Sequence, residues 1–174
     1  KEAEDLMYQN KLLENKSRRS ETVASLMKAM YEQGYETAEH EQQLLEIVTQ
    51  IGARLGLMPQ EIKELRLLAV LHDIGKLGIA KELLVKTEPL TAAELNEIRR
   101  HSEIGYRIAA ATPGLEPIAK YILSVHEAWD GSGYPQGIKG NAIPKLSRIV
   151  AIIDAYDAMI SGRPAMSCVP RMPQ

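Results

Sequence analysis

The chain of 174 residues falls in the one-domain range of roughly 100–200 residues and is long enough to bury a sizeable core. Its 45% hydrophobic and 25% charged residues exclude a disordered chain, and a net charge of −2 with no Phe and one Trp excludes a nucleic acid polymer as partner. No apolar run approaches the roughly 20 residues of a membrane span, the N-terminus KEAEDLMYQNK lacks a signal-peptide core, and the single Cys168 rules out an internal disulfide, so a cytoplasmic protein is expected.

Apolar spacing is helical nearly everywhere and no run alternates with period two, so the expected fold class is all-α, a bundle of about six to seven helices. Residues 1–34 read as an N-terminal connector helix: Leu6, Leu13, Val23, Leu26, Met27 and Met30 surround a polar middle, and Gly34 supplies the stop. Such a helix either packs on its own domain or couples to an upstream sensory domain, where it would also bring two copies together as a homodimer. Leu44, Ile47, Val48, Ile51 and Leu55 form the next stripe, ended by Gly56, with His40 one turn before Leu44. Pro59 opens a helix whose Ile62, Leu65, Leu68, Ala69 and His72 share a face until Gly75.

Thr91 and Glu94 make a capping box for a third helix of this domain, in which His101 lies three residues from both Ile98 and Ile104. After the Pro113-Gly114 turn, Ile118, Ile122, Val125 and His126 line a fourth helix that ends in the loop WDGSGYPQG. Pro144 opens a last helix, where Val150, Asp154 and Asp157 fall on one line among isoleucines.

His40, His72, His101 and His126 are all the histidines of the chain, and each stands on an apolar helix face. One inward histidine is ordinarily a hydrogen-bonded core residue. Four of them, with Asp73 and Asp154 also on inward positions, would need many separate partners, whereas a metal centre satisfies them together. Imidazoles and carboxylates without thiolate suit Fe, Mn, Co, Ni or Zn, and Asp73 is the type of ligand that bridges two cations. Lys76, one turn after His72, offers its charge to an anionic substrate. Glu36, four residues before His40, reads either as a further ligand or as a solvated helix-start carboxylate.

The stretches HDIGKLGI, HSEIGYRI, VHEAWDGSGYPQGIKG and IPKLSRIVAIIDAYDAMISGRP, in this order from about Glu36 to Pro164, closely resemble the HD-GYP family. That family is a branch of the HD metal-dependent phosphohydrolases that hydrolyse the bacterial second messenger cyclic di-GMP. The resemblance implies a first metal held by His40, His72, Asp73 and Asp154, a second held by His101 and His126 with Asp73 bridging, and a third at Glu36 in some members. It further implies phosphate contacts from Lys76 and Arg163, with Tyr134 beside the nucleotide. Asp157 reads as structural, and Asp130-Gly131 as a turn.

The implied domain covers residues 35–174 and is shortened at its C-terminus relative to the family. Two departures stand out. Members commonly carry two adjacent histidines where this chain has Val125-His126, which leaves the second site one ligand short. They also follow Arg-Pro with Tyr and a basic residue, where Ala165 and Met166 stand here. The expected activity is a cyclic di-GMP phosphodiesterase yielding linear pGpG or GMP with two divalent metals, Fe or Mn before Ni, Co or Zn. Asp73 and Lys76 are its expected catalytic groups. The alternative is a degenerate domain that binds the nucleotide or a GGDEF-domain protein without turnover.

Overall fold

The computed structural model describes residues 21–35 and 37–160, and within them every regular element is helical. A first helix, α1, is helical over the described residues 21–32 and ends at Gly34, whose φ of +74° is the left-handed stop that glycine adopts without steric cost. It is followed by α2 (Ala38–Arg54), α3 (Pro59–Leu71), a 3-10 turn (Ile74–Gly78), α4 (Lys81–Leu84), α5 (Ala92–Arg99), α6 (His101–Ala111), α7 (Glu116–Leu123), a second 3-10 turn (Gly140–Ala142) and α8 (Lys145–Ile160). This is the all-α bundle expected from the spacing.

Leu44 and Val48 of α2, Leu65, Leu68 and Leu71 of α3, Ile118 and Ile122 of α7, and Val150 and Ile153 of α8 meet in one apolar core. Burying each such side chain contributes about 1.5–3 kcal/mol. Met27 and Met30 of α1 belong to the same core, so the described part of the first helix packs on this domain. The start of α5 is as the sequence reads: the Thr91 hydroxyl accepts from Glu94 N while the Glu94 carboxylate accepts from Thr91 N. A smaller cluster of Ile79, Leu84 and Ile98 closes the side of α4 and α5.

Three helix limits differ from the periodicity, and all three place a histidine. The α3 helix ends at Leu71 rather than running to Gly75, and the chain tightens into the 3-10 turn. The reason is a backbone approach: a Cβ on Gly75 would stand 1.8 Å from the His101 carbonyl oxygen and 2.6 Å from Gly105 N. Only glycine lets this turn seat itself on the first turns of α6. The third helix breaks at Arg100 into α5 and α6, so that His101 opens α6. The fourth helix stops at Leu123, leaving Val125 and His126 in the turn that follows; Val125 is 1% exposed and part of the apolar core.

Candidate metal centre

Histidines become useful ligands only when one ring nitrogen is tied down and the other is aimed. At the end of α3, His72 Nδ1 donates to the Ala69 carbonyl at 2.8 Å, and at the start of α6, His101 Nδ1 donates to the Ile98 carbonyl at 2.7 Å. Both Nε2 atoms thereby turn toward Asp73. Asp73 Oδ1 lies 3.4 Å from His101 Nε2 and 3.7 Å from His126 Nε2, and Oδ2 lies 3.6 Å from His72 Nε2. Asp154 of α8 approaches from the other side, its Oδ1 3.7 Å from His72 Nε2. One ligand atom each from Asp73, His101 and His126 falls within 4.8 Å of the others, a spacing suited to one shared ion.

The electrostatics of the cluster favour a cation in it. Burial holds the His101 ring down to about 4 against the pull of Asp73, so it is neutral at pH 7, with its proton on Nδ1. Its bare Nε2 therefore faces Asp73 Oδ1, acceptor against acceptor, and both atoms are buried without a hydrogen-bond partner among the described residues. His72 Nε2, 3.6 Å from Asp73 and 3.7 Å from Asp154, is likewise buried without a hydrogen-bond partner among the described residues. Buried unpaired polar atoms cost roughly 1–3 kcal/mol each, and a divalent cation bound between these would satisfy all of them. The donor set of imidazole and carboxylate thus fits the transition metals expected from the sequence.

Asp73 itself is held well below the usual carboxylate range: burial pushes it up, and Lys76, His72, His126 and His101 together outweigh that push. Burial likewise pulls His72 down, but Asp73 and Asp154 raise it to about 9 in the metal-free protein. The sign for metal uptake follows. Below pH 9 His72 carries a proton that a metal must displace, whereas His101 has none to lose above pH 4. Metal uptake at pH 7 is therefore expected to release about one proton and to tighten as pH rises toward 9. Calorimetry of Mn(II) binding in buffers of different ionisation enthalpy measures this number, and zero protons released would contradict it.

Other residues singled out in the sequence have the following places. The Lys76 ammonium sits on Asp73 Oδ2 at 2.5 Å. His40 Nε2 is hydrogen-bonded at 2.9 Å to Asp157 Oδ2, which makes the α8 carboxylate read as structural the partner of a histidine read as a ligand. Glu36 and Arg163 lie outside the described residues. Tyr134, carried by the loop after His126, lies flat on the His126 ring, with centroids 5.2 Å apart and planes 14° apart, and meets His101 edge-on at 6.1 Å.

The loop is fixed by its backbone. Tyr134 N donates to the His126 carbonyl, and a Cβ on Gly133 would stand 2.2 Å from Ala128 N. Glu127, 7% exposed, accepts from Gln136 N at 2.7 Å. Periodicity placed Asp157 on the inward line of α8 but not its pairing with His40, and it did not single out Glu127 or Arg99; the last lies over the Tyr134 ring, Cζ 5.1 Å from its centre. The available signal for Glu127 was an acid between His126 and a glycine loop.

Residues 9–168 match the family described as HD domain. The chain belongs to the HD domain family. Among similar proteins, a cyclic di-GMP phosphodiesterase response regulator of Xanthomonas campestris, RpfG, is 35% identical over 153 residues, covering 87% of this chain and 40% of the relative. A cyclic di-GMP phosphodiesterase of Thermotoga maritima is 40% identical over 131 residues, 74% of this chain and 36% of the relative. A 3'3'-cGAMP-specific phosphodiesterase of Vibrio cholerae is 37% identical over 128 residues, 74% of this chain and 30% of the relative. The HD domain described here thus spans two fifths or less of the length of these relatives. Among its described residues no helix is long and apolar enough to cross a membrane.

Proposed function

We propose that this HD domain is a metal-dependent phosphodiesterase of cyclic dinucleotides, with cyclic di-GMP as first substrate and linear pGpG or GMP as product. The observation that carries the reading is the convergence of the buried His101 Nε2 and Asp73 Oδ1, with His72 and His126 around the same carboxylate. The names of the relatives supply the substrate class, both cyclic di-GMP and 3'3'-cGAMP.

His101, His126 and Asp73 would hold one divalent ion, and His72, Asp73 and Asp154 a second, joined by His40 once its Nε2 leaves Asp157; Fe or Mn suits this set. Bound there, such ions acidify water and neutralise charge that builds on a phosphate under attack. The chain's own groups do the rest. The Nδ1 bonds of His72 and His101 keep the ligand nitrogens aimed, Asp73 ties both halves of the site together, and Tyr134 covers the His126 ring and sheds water from it. Lys76, 19% exposed, is placed to exchange its carboxylate for a substrate phosphate. Lys76→Ala is expected to weaken cyclic di-GMP binding by about 1.5–3 kcal/mol with metal content no lower than the parent's. Unchanged affinity would remove Lys76 from the substrate site.

A second reading, binding with little turnover, is favoured by Val125, which stands in the apolar core where the resembling family has a histidine. The test is cyclic di-GMP and 3'3'-cGAMP turnover against added Mn(II) or Fe(II). Product that grows with metal supports the enzyme; saturable binding without product at any metal concentration supports the second reading.

A further inference from the structure

A cyclic dinucleotide has two phosphodiesters. While one reacts at the metal centre beside Lys76, the other is an anion that the site must also neutralise. Arg99 is a cation in contact with the cover of the centre: its guanidinium lies 5.1 Å from the middle of the Tyr134 ring, and that ring lies on His126. Two nearby cations have acidic partners. Arg100 is paired with Glu97 at 2.9 Å, and Glu94 takes Lys86. Arg99 is half-buried with no carboxylate partner among the described residues.

A guanidinium lying on an aromatic ring keeps its N–H edge for a planar, bidentate anion, and the ring removes part of the entropy cost of holding it there. We infer that Arg99, oriented by the Tyr134 ring, binds the non-reacting phosphodiester of the cyclic dinucleotide. The inference rests on the proposed substrate class, and it makes Arg99 a specificity residue that distinguishes substrates with two phosphates from those with one.

The test compares the metal-loaded parent with Arg99→Ala and Arg99→Lys on two substrates, cyclic di-GMP and the single-phosphate diester bis(p-nitrophenyl) phosphate. The Kd of a phosphorothioate analogue of cyclic di-GMP provides a readout independent of turnover. Arg99→Ala is expected to raise KM and Kd for the cyclic dinucleotide about tenfold or more, the scale of a lost hydrogen bond to a charged group. The loss on bis(p-nitrophenyl) phosphate should be several-fold smaller, and Arg99→Lys should recover part of the affinity by restoring the charge. Equal losses on both substrates would make Arg99 a support for Tyr134 only, and unchanged Kd would remove it from the site; either overturns the inference. A parent that cleaves bis(p-nitrophenyl) phosphate but neither binds nor cleaves cyclic di-GMP overturns the proposed function as well, and shows it before any variant is compared.

Discussion

Asp73→Ala is expected to abolish tight metal binding and to lower hydrolysis by well over a hundredfold, beyond the 10–100-fold typical of losing a group that merely orients a ligand. Asp73 reaches His101 and His126 with one oxygen and His72 and Lys76 with the other. Removing it leaves the Lys76 ammonium beside imidazoles, with the Asp154 carboxylate on the far side of His72, a surrounding far less favourable to a divalent ion. It also removes the nearer of the two carboxylates that raise His72. The His72 titration should then fall from about 9 toward or below its ordinary range, since burial alone pulls it down. Metal analysis with imidazole NMR titration checks both halves. Asp73→Asn, equal in shape and without charge, separates the loss of charge from a packing defect. A variant that keeps the parent's metal content would remove Asp73 from the centre.

Gly75→Ala should be nearly as damaging although residue 75 touches neither metal nor substrate. The added carbon would meet the His101 carbonyl oxygen at 1.8 Å and Gly105 N at 2.6 Å, backbone atoms that cannot rotate away. The 3-10 turn must therefore lift off α6. Overpacking of this kind costs about 1–3 kcal/mol or more, and it separates Asp73, just before the turn, from His101, which opens α6. A displacement near 1 Å between paired groups costs about 10²-fold in rate. Thermal denaturation should show the stability loss, and a metal titration should show weakened uptake. A Gly75→Ala protein with the parent's melting temperature and metal affinity would mean that the turn does not set the spacing of the site.

The contrast between these two residues shows what was legible in the chain. Asp73 stands out locally, because a His-Asp pair at the end of an apolar helix face needs a chemical reason, and the capping box at Thr91 is equally local. All four histidines and Asp154 were visible for the same cause, polar residues at inward helical positions. The break at Arg100 was not, since the apolar period runs through it unchanged from Ile98 to Ile104. Nor were the early ends of α3 and α7, because a glycine's close approach to a distant backbone leaves no periodic trace. His40 and Asp157 are 117 positions apart, and each reads alone as an inward polar residue; only the packing of α2 near α8 makes them a pair. Arg99 has the look of any exposed helix cation until the loop brings Tyr134 beneath it.

The central claim, that these buried imidazoles and carboxylates make a metal-dependent cyclic dinucleotide phosphodiesterase, is tested most directly by one measurement. The chain is stripped with a chelator, and pGpG and GMP formed from cyclic di-GMP are followed chromatographically while Mn(II) or Fe(II) is returned in steps. The expected result is no product from the stripped protein and a rate that climbs with bound metal and levels off as the site fills. Hydrolysis at full rate without metal, or none at any metal concentration, would contradict it.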